Sequence, residues 1–276
     1  MEISRELIEK YNVPVPRYTS YPPANHFGDQ FSENSFLQMI EESNSSQPEN
    51  IAIYIHIPFC KKICFYCGCN TAIYKEEKLV ASYMDALKKE IKMISKSIDK
   101  KRKVSQIHYG GGTPNAVDAR WLEEINQLLF DLFEFIPRPE IAIECHPAHL
   151  DELYLQRLLN AGFNRFSLGI QDFDLTVLNT VNRNPAVMPV KEIVEILKRD
   201  NPTISVNLDF IYGLPGQTVA GFNQTIQQAI DIRPDRLVTF SYAHVPWLKK
   251  HQQILEKKGL LSSTQKKIGR ASCRER

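Results

Sequence analysis

No stretch of eighteen consecutive apolar residues occurs in this 276-residue chain, so no membrane-spanning helix is expected. The first residues, Met1-Glu-Ile-Ser-Arg-Glu6, are charged and lack the apolar centre of a secretory leader. A cytoplasmic location with reduced thiols is therefore expected, and a disulfide framework is not. Net charge is nearly absent as well: 34 basic side chains against 32 acidic ones leave +2, which gives no electrostatic case for a nucleic-acid partner. What is present is 43% hydrophobic residues, enough for the core of one large α/β domain. A monomer acting on a small molecule, an anionic one included, is the expectation.

The informative feature is local. Cys60, Cys64, Cys67 and Cys69 crowd into ten residues directly after the apolar run Ile51-Ala-Ile-Tyr-Ile-His-Ile-Pro58, which reads as a buried strand. The first three form a C-x3-C-x2-C arrangement, close enough for three thiolates to converge on one face of a small inorganic cluster and leave one metal corner without a protein ligand. Four ligands suit an electron carrier, whereas three ligands and a vacancy suit chemistry at the metal. The alternative is a structural zinc site on all four thiolates, although zinc sites usually draw two separated ligand pairs.

Six short apolar runs read as strands, at 51–58, 105–111, 140–146, 165–171, 205–212 and 236–243, and helical periodicity separates them, for example over 78–96 and 121–135. Repeated strand–helix units predict a parallel sheet with right-handed crossovers, and six of them fit an incomplete (β/α)6 TIM-type barrel. In the first run Ile51, Ile53, Ile55 and Ile57 share one face, Tyr54 and His56 the other. In the fifth, Val206, Leu208 and Phe210 oppose Ser205, Asn207 and Asp209. Polar residues therefore gather at strand C-terminal ends, at Glu144, Gln171, Asp209 and His244, where barrel enzymes build their sites. Each alone could be a satisfied core residue; four at equivalent places favour a site. The glycine run 110–112 permits close approach of backbone to a ligand, or is only a tight turn.

The segment Tyr54-Ile-His-Ile-Pro-Phe-Cys60-Lys-Lys-Ile-Cys64-Phe-Tyr-Cys67-Gly-Cys69-Asn70 resembles the cluster motif of radical S-adenosylmethionine (SAM) enzymes and, more narrowly, that of the oxygen-independent coproporphyrinogen III oxidases. Further matches follow in order: Arg17-Tyr-Thr-Ser-Tyr-Pro22, Gly110-Gly-Gly-Thr-Pro114, Gly169-Ile-Gln-Asp-Phe173, Asn182-Arg183, Asp209-Phe-Ile-Tyr-Gly-Leu-Pro-Gly216 and Tyr242-Ala-His244. Together they cover residues 10–250. The resemblance implies a 4Fe-4S cluster on Cys60, Cys64 and Cys67, with SAM at its open iron. It implies contacts to SAM, two molecules in all, from Tyr54, Tyr66, Gly111, Gly112, Thr113, Glu144, Gln171, Arg183, Asp209 and Ala243. Cys69 and Tyr54 would be catalytic, Cys69 without ligating the cluster; a small buried residue is the other reading of Cys69. His56 is an orienter of the cluster loop or a core histidine. At Glu144-Cys-His-Pro-Ala148 the chain departs from the family, many of whose members carry an acidic residue and an arginine where His146 and Ala148 stand.

The reaction implied is oxidative decarboxylation of two propionates of coproporphyrinogen III to the vinyls of protoporphyrinogen IX, in haem biosynthesis. A 5′-deoxyadenosyl radical would take a hydrogen from the propionate β-carbon, after which carbon dioxide and one electron leave; the electron donor and acceptor are unidentified. The first rival is a haem chaperone on the same fold, whose members usually lack the cysteine at position 69 and the arm at 17–22. The second is an electron-transfer or zinc-stapled structural domain. The expected division is an N-terminal arm and linker over 1–50, with a short amphipathic helix between residues 30 and 50, the partial barrel over 51–250, and the start of a C-terminal region over 251–267. Residues 268–276 resemble a translated sequencing adapter, so Cys273 is discounted as a ligand. A helical C-terminal domain of the family is expected to be missing, and the chain as written to bind a cluster but turn over poorly.

Overall fold

Six parallel strands and the helices that join them form the body of the protein, seen in a computed structural model that describes residues 26–261 together with Glu6 and Lys10. The arm at 17–22, the tail at 268–276 and Cys273 lie outside the described residues. The strands are β1 (Ile51–Ile57), β4 (Val104–Gly111), β5 (Phe135–Cys145), β6 (Arg165–Gln171), β7 (Ser205–Tyr212) and β8 (Arg236–Ser241). They lie side by side in sequence order, every pair parallel. Among the described residues β1 and β8 are the two edges and do not pair with each other, as an incomplete barrel requires. Consecutive order with right-handed crossovers puts all the helices on one face.

Those helices are α2 (Glu77–Ile94), α3 (Ala119–Leu132), α4 (Glu152–Asn160), α5 (Leu175–Thr180), α6 (Val190–Lys198) and α7 (Val219–Ile232). Their starts follow from N-cap chemistry: Asp118, Asp151, Asp174 and Thr218 accept backbone N–H groups of the first turns of α3, α4, α5 and α7, which removes otherwise orphaned donors. Helix and sheet meet in one core. Ile55, Ile57, Ile107, Ile143, Phe166 and Leu208 are buried on the sheet side, and Met84, Leu122, Ile125, Leu155, Ile193 and Phe222 on the helix side. The alternation read from the sequence therefore holds: isoleucines of β1 face helices, while Tyr54 and His56 face the open side of the sheet.

The strand expected at 140–146 begins earlier, at Phe135, and α3 ends at Leu132 rather than running to 135. Pro137 and Pro139 lack N–H donors, and the β4–β5 register shifts between Val104 and Gln106 to accommodate the extra residues. At the N-terminal side, α1 (Glu33–Ser43) is the short helix expected there. Arg102 pins the following polar linker by donating to Ser43 Oγ and the carbonyls of Pro48 and Glu49. A small α8 (Gln253–Glu256) closes the described chain. No helix among the described residues is long and apolar enough to cross a membrane.

Candidate active site

The cysteine loop leaves the end of β1 and is closed at its base by a second, two-stranded sheet. β2 (Phe59–Cys60) pairs with β3 (Ala72–Ile73), and the Ala72 and Tyr74 N–H groups donate to the carbonyls of Pro58 and Cys60. Inside the loop the Cys67 N–H donates to the Cys64 carbonyl at 3.1 Å. The thiols of Cys60 and Cys64 are buried, Cys67 is half-buried and Cys69 exposed; all are free. Burial pushes the Cys60 thiol up. Cys67 is drawn down to about 6, first by the hydrogen bond from the Cys69 thiol, which is itself pushed up.

A cavity of about 170 Å³ opens beneath this loop. It is lined by all four loop cysteines, Tyr66, Gly111, Gly112, Thr113, Glu144, Gln171, Arg183 and Asp209, and by Cys145, His146, Ser167 and Gly169. Most of the lining comes from the C-terminal ends of barrel strands or the loops after them, where parallel sheets place their sites, while Ser167 stands within β6 and Arg183 follows α5. Gly112 makes the first wall: a Cβ there would collide with the Pro58 carbonyl and stand 3.0 Å from Cys60 Sγ. Only glycine lets the end of β4 press against the start of the cysteine loop. Gly169 serves the opposite wall, where a Cβ would crowd the amide of Gln171 and the guanidinium of Arg183. Gln171 itself holds a left-handed backbone, φ 71°, unusual for a non-glycine residue and turned to the cavity at a strand end.

Arg183 is buried. Its guanidinium donates to Tyr66 OH at 2.9 Å, to Cys64 Sγ at 3.6 Å and to the Gly169 carbonyl; among the described residues no carboxylate pairs with it. A buried cation beside thiols and lacking a carboxylate suits an anionic occupant. Asp209 accepts from Ser167 Oγ at 2.6 Å and Asn207 Nδ2 at 2.8 Å. Burial raises its carboxyl, and these two hydrogen bonds oppose the shift. Glu144, half-exposed, meets His108 Nε2 at 3.1 Å. Gln171 Oε1 and Asn207 Oδ1 are buried without a partner.

Three comparisons bear on this geometry. The family model described as the radical SAM superfamily matches residues 54–229. The chain belongs to the radical SAM superfamily. It is 38% identical over 266 residues to the oxygen-independent coproporphyrinogen III oxidase of Synechocystis sp., covering 96% of this chain and 57% of that one. Similarity to the enzyme of the same name from Escherichia coli K12 is 38% over 261 residues, 94% of this chain and 56% of that one. Among solved structures, the coproporphyrinogen III oxidase from Escherichia coli, described as a radical SAM enzyme, aligns with a TM-score of 0.84 at 36% identity, covering 97% of this chain and 59% of that chain. The chain thus spans little more than half the length of these relatives. An archaeal Elp3 of Methanocaldococcus infernus shares the fold alone, with a TM-score of 0.52 at 13% identity.

Radical SAM chemistry needs a 4Fe-4S cluster and SAM, and the residues present fit both. Among the described residues no three His, Cys, Asp or Glu side chains stand where one ion could be held. The thiols of Cys60, Cys64 and Cys67 nevertheless line one cavity, an arrangement that suits a multi-iron cluster better than a single tetrahedral zinc. The buried Arg183 and the orphaned Gln171 Oε1 are polar groups still open to a zwitterionic ligand.

Of the fourteen residues expected at the site, twelve line the cavity, while Tyr54 and Ala243 do not. Tyr54 stands beside it, next to Glu144 across Gly110. It donates to His56 Nδ1 at 3.1 Å, and His56 Nε2–H meets the Asn70 carbonyl at 3.0 Å. His56 thus ties the strand to the cysteine loop, the orienting alternative. Ala243 is exposed. His244 stands just past the C-terminal end of β8, with Nδ1 on Tyr242 OH and Nε2 on Glu256, and is not among the residues lining this cavity. The sequence reading missed Ser167 as a site residue, and passed over Cys145, at the back of the cavity. The alternation of β6, which places Ser167 level with Glu144 and Asn207, could have found the first. The departing His146 also lines the cavity and has a role in the backbone: its Nδ1 accepts the Ala148 N–H at 3.1 Å.

Proposed function

We propose that this chain carries the radical SAM part of an oxygen-independent coproporphyrinogen III oxidase, converting two propionates of coproporphyrinogen III to the vinyls of protoporphyrinogen IX. The observation that carries the reading is the conjunction of one cavity uniting the cluster cysteines with Glu144, Gln171, Arg183 and Asp209 and 38% identity to oxidases along nearly the whole chain. Cys60, Cys64 and Cys67 would hold the cluster. Together with SAM, that cluster would supply the one-electron chemistry needed to start a radical reaction.

The protein contributes binding, orientation and exclusion of water. Gly111 and Gly112 bring backbone close to the cofactor, with Thr113 following. Glu144, Arg183 and Asp209 would be the polar anchors of two SAM molecules, with Tyr66 and Gln171 lining the same cavity and Ala243 reaching SAM from outside that lining. A half-exposed carboxylate and a buried guanidinium lining one cavity match the opposite charges of the cofactor. Cys69 and Tyr54, at the open side of the loop, face the substrate. Residues 51–250 are the radical SAM partial barrel, acting as a cytoplasmic monomer with an external electron donor and acceptor.

A haem-handling relative on the same fold is the second reading, and the named oxidases among the relatives disfavour it. An anaerobic assay on a chain extended to the relatives' length, given reductant, SAM and coproporphyrinogen III, separates the two. Vinyl product appearing together with 5′-deoxyadenosine is the expected result. 5′-Deoxyadenosine alone would point to another substrate or to haem handling.

A further inference from the structure

The cysteine loop is held from two sides. On one, the segment after α5 grips it: the Val181 carbonyl accepts the Phe65 N–H at 2.9 Å, Asn182 Nδ2 donates to the Ile63 carbonyl at 2.8 Å, and Arg183 reaches Cys64 and Tyr66. The other side is the turn at 249–252. Lys249 Nζ donates to the Cys69 carbonyl at 2.7 Å, His251 Nε2 to the Cys67 carbonyl at 2.9 Å and Gln252 Nε2 to the Tyr66 carbonyl at 2.9 Å. Three side chains of one short turn thus satisfy three carbonyls of the segment that carries Cys67 and Cys69.

Gln252 is the pivot. Its side chain is fully buried. While Nε2 donates to Tyr66 and lies within 3.3 Å of the Ala243 carbonyl, Oε1 accepts the Val245 N–H at 2.6 Å. One amide therefore joins the cysteine loop to the chain leaving β8. A buried amide with both ends engaged fixes separation and orientation, and removing it strands buried partners.

We propose that Gln252, supported by His251 and Lys249, is a positioning residue that latches the cysteine loop in the geometry needed to hold the cluster. The latch rests on the assignment of Cys60, Cys64 and Cys67 as ligands. It differs from general stabilisation because its contacts lie on the cysteine loop and the segment after β8, not in the helix layer.

The test compares Q252L and Q252E with N126L in the 276-residue chain, reconstituted anaerobically with iron and sulfide. Asn126 is an equally buried amide, donating to the Ala161 carbonyl and accepting from Tyr109 OH within the helix layer, away from the loop. Q252E keeps the acceptor for Val245 but loses the donor to Tyr66. Two readouts are taken: the rate of cluster loss to a chelator, and amide hydrogen exchange across 64–69. Both Gln252 variants are expected to lose the cluster at least about tenfold faster than wild type and to exchange faster across 64–69, with N126L near wild type in both. Wild-type retention in the Gln252 variants, or equal loss in N126L, would overturn the latch while leaving the ligand assignment intact. A wild-type chain that takes up no iron would overturn the ligand assignment and the latch together.

Discussion

At the scale of single residues, the sharpest division is between cysteines that hold metal and one that does not. Cys60→Ala is expected to abolish iron uptake, whereas Cys69→Ser should retain about four irons per chain, a count that iron and sulfide analysis provides. Equal loss in both would require a four-cysteine site. His146 gives a second prediction, independent of the cluster. Burial holds its imidazole down at about 2, far below the ordinary value near 6.5. As pH falls below about 6.5 the unfolded chain takes up a proton that the native chain refuses, so the native state loses stability. Between pH 7.5 and 5.5 that loss is about 1.4 kcal/mol. Urea unfolding of the metal-free chain at the two pH values should show it, and His146→Gln should shrink the difference by about that amount, with the neighbouring His149, also held down by burial, keeping its own share; an unchanged difference in the variant would contradict the assignment.

At the scale of elements, the glycine wall and the helix layer make separate predictions. Gly112→Ala drives a methyl into the Pro58 carbonyl and should cost about 1–3 kcal/mol in urea unfolding while impairing cluster uptake. Leu122→Ala, in the fully buried face of α3, should cost about 2–5 kcal/mol yet leave cluster uptake intact once folded. The same elements show what could be read in advance. The strands were legible because β-branched and aromatic runs alternate with helical periodicity, and β6 and β7 have the bounds expected of them. The end of α3 was not legible, because Phe130, Phe133 and Phe135 continue an apolar pattern across the junction, and only the strand pairing of Phe135 with Val104 ends the helix. The partner of His244, Glu256, was not legible because it comes from a later turn. Nothing local marks Gln252, one polar residue in a lysine-rich stretch, as the amide that reaches back to Tyr66.

At the scale of the whole molecule, an open parallel sheet brings groups far apart in sequence to one end: cysteines from the loop after β1, glycines from the end of β4, Glu144 from β5, Gln171 from β6 and Asp209 from β7. Neither spacing nor composition places Arg183 against Cys64; the fold does so by packing the segment after α5 on the cysteine loop. The central claim is that this assembly holds a 4Fe-4S cluster with one iron open to SAM. The most direct test is electron paramagnetic resonance of the anaerobically reconstituted, dithionite-reduced chain with and without SAM. The account predicts a reduced 4Fe-4S signal whose g-values shift when SAM is added. A signal indifferent to SAM, or zinc in place of iron, would contradict it.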